Sequence, residues 1–323
     1  MMRAIVQDSY GSADVLRSAQ IDRPQIAEHE VLLRVHAAGL DRGTWHLMTG
    51  TPYLMRIIGF GFRRPKNRVP GVDVAGTVVA VGSAVTKFQV GDEVFGMSRG
   101  SFAEYAAARE DKLAHKPANA SFEQAATVGI SGGTALQALE TGRVQPGQRV
   151  LIIGASGGVG SYAVQLAKAS GAEVTGVCST EKLDLVTNLG ADHVVDYTRE
   201  DFADGVHHYD LIIDIAGNSK LSRLRRALTA TGTAVIVGGE SKGNITGGID
   251  RQLRAMFLTP FIGQRLTGLA SKERASDSEV LAEHIAAGSE TPRIDRTYPL
   301  DQVPAAMRHL EAGTVKGKIA ITI

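Results

Sequence analysis

The spacing of apolar residues changes part-way along the 323-residue chain. From Met1 to about Glu123 the apolar stretches are short: 30–36 (EVLLRVH), 74–81 and 93–95, punctuated by turns at Pro70-Gly71 and Val90-Gly91-Asp92. Runs of this length between Gly and Pro signals predict strands, and together they predict a small, mostly antiparallel β unit. Inside it, 54–68 (LMRIIGFGFRRPKNR) mixes apolar and basic residues. It reads as a loop or short helix over a cleft, or equally as a solvated basic face. From Gly147 onward, continuous apolar runs alternate with helix-period segments. Strands are predicted at 149–153, 173–178, 193–196, 210–214 and 234–237. Helices are predicted at 158–170, where Val159, Ala163, Val164, Leu166 and Ala167 share one side, and at 182–188. Fully apolar strands alternating with helices imply a parallel sheet covered on both faces. The last stretch predicts one helix and one strand, and such a terminal strand can return to the first unit.

Composition narrows the class. The chain is 43% hydrophobic and 21% charged, as expected of a soluble globular protein. Lys and Arg number 35 against 34 acids, which leaves no overall basic footprint for nucleic acid or an anionic membrane. No apolar run reaches the about 18 residues of a membrane span. The opening MMRAIVQDSYGS turns polar too early for a secretory signal. A single cysteine, Cys178, excludes an internal disulfide and a multi-cysteine zinc site. A cytoplasmic protein is expected. The 37 glycines point to many tight turns or to backbone held against a ligand.

The segment 152–160 (IIGASGGVG) follows a predicted strand and opens a predicted helix. Gly157 and Gly160 take the second and third positions of a G-x-G-x-x-G fingerprint, with Ala155 at the first. In that context the loop predicts a dinucleotide whose pyrophosphate lies against Ser156, Gly157, Gly158 and Val159 at the helix N-terminus. An NAD site carries Asp or Glu at the end of the next strand. Here that position holds Cys178, while Ser179, Thr180 and Lys182 offer donors and a positive charge. The expectation is NADPH rather than NADH, with Glu181 the counterargument. Cys178 itself reads as a small, inert strand-end residue.

Further motifs run the length of the chain: 70–78 (PGVDVAGTV), 90–96 (VGDEVFG), the glycine loop, 189–197 (LGADHVVDY) and 317–321 (GKIAI). In this order they resemble the medium-chain dehydrogenase/reductase superfamily. The similarity is to its zinc-free quinone oxidoreductase branch, which includes ζ-crystallin-like and alkenal/enone reductases and the Nogo-interacting mitochondrial oxidoreductase. The resemblance implies an α/β protein with two domains. Residues 1–125 together with 268–323 would form a GroES-like, mostly-β substrate domain. Residues 126–267 would form a doubly wound, parallel-sheet Rossmann domain binding NADPH, with the active site in a cleft between the two. It also suggests a homodimer acting on a small electrophilic acceptor, while the charge balance argues against a nucleic-acid or membrane partner.

Zinc-dependent relatives place ligands at positions that align here with Asp41, Val72 and Ile130, two of which cannot ligate anything. Catalytic zinc needs three protein ligands, so no metal is expected. Without a Lewis acid, electron-poor acceptors such as quinones and α,β-unsaturated carbonyls remain feasible. His46 aligns with a proton-relay histidine, and its ordinary pKa suits protonating an enolate or hydroquinone oxygen. A purely structural histidine is the alternative. Asp41 stands where many relatives carry asparagine and would reach the nicotinamide ribose or a substrate oxygen through water. Trp45, Tyr53 and Met55 are candidates for an apolar pocket, although core packing is the commoner fate of such residues. By resemblance Thr134, from a Ser131-Gly-Gly-Thr134 turn, approaches the nicotinamide. Ile215 and Ala216 flank the ribose, Val237 and Gly238 meet the carboxamide, and Tyr197 covers the adenosine side with Lys182. The adjacent His207-His208 reads as a solvated loop, and 257–266 as a border of the pocket or of a dimer interface. Two alternatives stay open: an NADP-dependent alcohol or carbonyl dehydrogenase using a His46–ribose relay, and a non-catalytic NADPH-binding sensor.

Overall fold

A computed structural model of the chain describes residues 1–217, 219–238 and 247–323, leaving aside the side chain of Ile58. The described residues divide into two compact units, 1–133 with 273–323, and 134–272. Both breaks fall later than the 125/126 and 267/268 expected, because local hydrogen bonds hold the intervening residues. The Ile130 N–H donates to Asp73 Oδ1 (2.8 Å) and Ser131 Oγ accepts from Lys318 Nζ (2.9 Å), which ties them to the first unit. Lys272 exchanges two hydrogen bonds with the Gln137 amide, which ties it to the second.

The first unit starts with β1 (Met2–Val6) and β2 (Arg17–Ile21), an antiparallel pair. Next comes β3 (Glu30–Leu40), followed by helices α1 (Arg42–Thr49) and α2 (Tyr53–Met55). Strands β4 (Asp73–Val81), β5 (Glu93–Met97), β6 (Tyr105–Arg109) and β7 (Leu113–His115) lead to helices α3 (Phe122–Ala125) and α4 (Gly129–Gly142). Strand β3 is buried along most of its length, with β4 pairing Val31 to Ala38 and with β6 and β15 pairing Glu30 to Arg34 and Ala37 to Leu40. Its core partners include Val31, Leu33, Val74, Val78, Val94 and Leu113. The Ser131–Thr134 segment lies inside α4 and is not a turn. Its glycines serve packing: a Cβ on Gly132 would stand 2.9 Å from Leu281 Cδ1.

The second unit carries β8 (Arg149–Ile153), α5 (Gly158–Ala169), β9 (Glu173–Cys178), α6 (Leu183–Asn188), β10 (His193–Asp196) and β11 (Tyr209–Asp214). Then follow α7 (Leu221–Ala227), β12 (Leu228–Ile236), α8 (Ile249–Leu258) and β13 (Arg265–Gly268). Among the described residues these strands form one six-stranded parallel sheet in the order β10-β9-β8-β11-β12-β13. The order reverses beside β8, and a doubly wound sheet opens its ligand crevice at that point, beyond the carboxyl ends of the strands.

The chain then returns to the first unit through α9 (Ala275–Ala286), β14 (Ile294–Pro299), α10 (Val303–Glu311) and β15 (Lys318–Thr322). As the sequence suggested, the terminal strand comes home: Ile319 to Thr322 pair antiparallel with Leu40 to Ala37. Helix α10 buries Val303, Ala306 and Met307 against Ile5, Leu40, Phe102 and Ile321.

Candidate active site

In the second unit the glycine loop joins the end of β8 to α5. Gly154 has φ +90, a conformation that suits glycine, and Gly157 is the N-cap of α5 without any side-chain cap. The first N–H groups of α5 therefore have no intrahelical acceptors and face an anion with the positive end of the helix dipole. A Cβ on Gly160 would lie 2.1 Å from the Gly154 carbonyl, so only glycine lets helix and loop meet here. At Gly157 a Cβ would meet nothing nearer than 3.5 Å, which leaves the loop surface open. This cradle fits a dinucleotide pyrophosphate, with Ser156 buried beneath it and Gly158 and Val159 half-exposed.

The adenosine end follows from β9 and β10. Cys178 ends β9, and burial pushes its thiol up to about 11, so it is inert as expected. Ser179 and Thr180 lead into the turn holding Lys182. Tyr197 is 61% exposed just past β10, with its N–H on the Cys178 carbonyl (3.1 Å). The sequence reading missed Asp196. It is buried at the end of β10 and takes hydrogen bonds from the Thr180 hydroxyl and from the N–H and hydroxyl of Thr198. These bonds, the Thr180 hydroxyl foremost, hold its carboxyl below the usual range. Thr180 thus has its proton committed to Asp196 and is not a free donor, whereas Ser179 and Lys182 flank the opening.

Two further strand ends, those of β11 and β12, converge across the same crevice. Ile215 and Ala216 donate to the Ile153 carbonyl, while Val237 and Gly238 donate to the Asp214 carbonyl. A Cβ on Gly238 would stand 1.9 Å from the Ile215 oxygen, so this approach also requires glycine. Asp214 is fully buried, accepts from the Gly217 N–H (3.1 Å) and pairs with Arg251 of α8, which also donates to the Gly217 carbonyl. Arg251 therefore holds the turn carrying Ile215 and Ala216, a role invisible in local sequence. Thr134 is buried in α4 with its hydroxyl 3.5 Å from Ser271 Oγ.

The first unit gathers the remaining candidates around α1. Asp41 is its N-cap, accepting from the Thr44 N–H at 2.7 Å, and its other oxygen is buried with no hydrogen-bond partner. Asp73, at the start of β4, is fully buried. It has the Ile130 N–H on one oxygen and the Lys318 ammonium 3.6 Å from the other, which lies beyond hydrogen-bond reach. Burial, opposed by Lys318 and reinforced by Asp41, pushes Asp73 up to about 7. Lys318 is 2% exposed. A proton held on Asp73 leaves this lysine balanced by the Asp41 side of the cluster, so Asp73 can hold a proton near neutrality. His46 is half-buried, with Nδ1 2.7 Å from the Thr51 carbonyl, which fixes the Nδ1–H tautomer of the neutral ring. Trp45 is half-buried. Its ring packs on the α10 core and its indole N–H donates to Glu311 at 2.8 Å. Tyr53 is 47% exposed beside the half-buried Met55, with Arg56 over its ring. His207 is exposed and pairs with Asp204 at 2.7 Å, the solvated loop expected.

A family profile described as alcohol dehydrogenase GroES-like domain matches residues 27–118, and one described as zinc-binding dehydrogenase matches 189–321. The quinone oxidoreductase of Homo sapiens is 31% identical over 335 residues, covering 100% of this chain and 98% of its own. The chain belongs to the medium-chain dehydrogenase/reductase superfamily, in its quinone oxidoreductase branch. A second relative of this branch's new member, the 2-methylene-furan-3-one reductase of Solanum lycopersicum, is 33% identical over 99% of this chain and 79% of its own. The Escherichia coli quinone oxidoreductase solved in complex with NADPH superposes with a TM-score of 0.84 at 26% identity, covering 99% of this chain and 100% of that one. The GroES-like plus Rossmann architecture expected from sequence is thereby established.

The superfamily includes zinc enzymes, so the donor set must be weighed. Val72 and Ile130 offer no metal-binding atom, and the Lys318 ammonium shares the cluster of Asp73. A divalent ion would meet two hydrocarbon side chains and a buried positive charge, and the residues present do not fit one.

Proposed function

We propose that this member of the branch transfers hydride from NADPH to a quinone or an α,β-unsaturated carbonyl, without catalytic zinc. The observation that carries the reading is the open cradle at Gly157 and the adjoining β9 end, which carries Cys178 in place of a ribose-binding carboxylate. When bound, NADPH supplies the hydride. The α5 N-terminus would hold the pyrophosphate, and Ser179, Lys182 and Tyr197 the 2′-phosphate side. The Ile215-Ala216 and Val237-Gly238 strand ends would orient the nicotinamide half. Reduction leaves an enolate or hydroquinone oxygen that needs a proton, for which His46 and the Asp41–Asp73 cluster are the candidate sources. The same reading includes a homodimer: Leu253, Met256, Phe257 and Phe261 are 50–84% exposed on and after α8, beside the edge strand β13. Gel filtration with light scattering tests that part; a monomer at micromolar concentration ends it.

The central experiment is NADPH consumption with benzoquinone, naphthoquinone, 2-alkenals, alkenones and simple ketones, with and without chelator. Turnover of quinones or enones is expected, insensitive to chelator and lost in Lys182→Glu. NADPH binding without turnover would favour the sensor, and chelator-sensitive alcohol oxidation would favour a metal dehydrogenase.

A further inference from the structure

The near-neutral total charge conceals a local imbalance. Residues 42–72 contain no Asp or Glu and six Lys or Arg, so this stretch carries +6 while the rest of the chain sums to −5. The structure sorts these cations. Arg42 lies over the Trp45 ring, Arg56 donates to the Gly50 and Thr49 carbonyls between the rings of Tyr10 and Tyr53, and Arg68 pairs with Asp8. The other three, Arg63, Arg64 and Lys66, are exposed and have no ion partner among the described residues.

These three sit on a built loop. The Lys66 N–H donates to the Phe60 carbonyl at 2.9 Å, and the Tyr10 hydroxyl donates to the Gly61 carbonyl at 2.6 Å. Gly61 has φ +107, and a Cβ there would stand 2.3 Å from the Arg64 oxygen, so the tight closure requires glycine. At its tip Phe62 is 71% exposed, and on the preceding turn Ile57 is 72% exposed. Large apolar side chains held in water beside unpaired cations are the recipe of an interfacial anchor. The cations meet anionic headgroups while the apolar side chains enter the acyl boundary.

We propose that the 57–66 loop docks this protein on anionic lipid bilayers, with Arg63, Arg64 and Lys66 supplying the charge attraction and Phe62 and Ile57 the insertion. A bilayer is favoured over nucleic acid because Ile57 offers a base no stacking face, whereas the acyl boundary accepts aliphatic and aromatic side chains alike. The surface does not depend on the acceptor or on NADPH.

The test is co-sedimentation of the full chain with large unilamellar vesicles of phosphatidylcholine alone or with added phosphatidylserine. Binding is expected only with phosphatidylserine and is expected to weaken steeply with salt. Each cation near such a surface strengthens binding by about fivefold, so Arg63→Gln/Arg64→Gln/Lys66→Gln should lose roughly a hundredfold. Phe62→Ser should lose about tenfold, from the apolar area withdrawn from water, while keeping the salt dependence. Circular dichroism melts verify that both variants fold. The proposal is overturned by folded wild-type protein that ignores phosphatidylserine vesicles, or by vesicle binding that both variants retain. Single-stranded RNA that binds more tightly than the vesicles, with no loss in Phe62→Ser, would also overturn it.

Discussion

Asp214 in the second unit and Asp73 in the first are both fully buried, each beside a cation from a distant stretch of chain. Asp214 meets an arginine. The planar fork of Arg251 serves its carboxylate and the Gly217 carbonyl together, and the Gly217 N–H takes the other oxygen. Asp73 meets a lysine, a point charge that spends its hydrogen bond on Ser131 and stands 3.6 Å away. Among the described residues one Asp73 oxygen, one Asp41 oxygen and the Thr44 hydroxyl are left buried without partners. The first arrangement closes a turn at the cofactor crevice. The second leaves more lone pairs uncommitted, although Arg251 Nε is likewise buried without a partner among the described residues in the first. Guanidinium and ammonium thus divide the labour according to their geometry.

The largest effect should come from removing the lysine. Lys318→Met strands two buried carboxylates, a loss on the order of 3–5 kcal/mol by urea unfolding at pH 8. The loss should shrink toward pH 5 as Asp73 takes up its proton, and Asp73→Asn added to Lys318→Met should recover part of it. A cost that is the same at both pH values would show that the lysine matters only for packing. Arg251→Met strands one buried carboxylate where Lys318→Met strands two, and the Gly217 N–H still serves it, so the substitution is expected to cost less, about 2–3 kcal/mol. It should raise the KM for NADPH and NADH alike, since the turn it holds lies away from the adenosine end. Selective loss of NADPH would place Arg251 on the phosphate instead.

Glu290 extends the comparison to a carboxyl with no cation beside it among the described residues. It is 2% exposed, neither oxygen has a hydrogen-bond partner, and burial pushes it up to about 8. Its pKa is raised on folding, so the native state keeps a proton that the unfolded chain has released. The linked stability is therefore full below about 4.5, falls as pH rises, and is gone above 8. Glu290→Leu should raise the melting temperature by roughly 5 °C at pH 8.5 and by much less at pH 5. Equal gains at both would mean that Glu290 already finds a partner.

These pairs were the part of the molecule least visible in sequence. Strands β8 to β11 were legible to within a residue, whereas β12 begins six residues before the expected 234 and β13 was not foreseen, because the polar starts of both carry no apolar run; the glycine loop was legible because its geometry admits few other residues. Lys318 lies 187 residues from Ser131, and Trp45 lies 266 from Glu311, distances at which spacing carries no signal. Gly132-Gly133 read as a turn because a glycine placed for packing against Leu281 looks the same, in sequence, as one placed for a positive φ. Asp196 escaped notice because it sits one strand beyond the position where a ribose-binding carboxylate is sought.

The finest test of the comparison leaves every atom of Asp41 in place but one. Asparagine caps a helix as well as aspartate does, so Asp41→Asn should keep the bond from the Thr44 N–H and change stability by less than about 1 kcal/mol. It removes the neighbouring negative charge that helps to hold Asp73 in its protonated form. Asp73 should then ionise at lower pH, and the fall of stability with rising pH that belongs to this cluster should end sooner. Measured in the Glu290→Leu background, that displacement is free of Glu290, while Asp214, the remaining carboxyl that burial raises, keeps its own Arg251 pair in both proteins and drops out of the difference. If the pH profile does not move, the two carboxylates are independent, and the first unit holds a lone buried acid beside a helix cap in place of a shared proton.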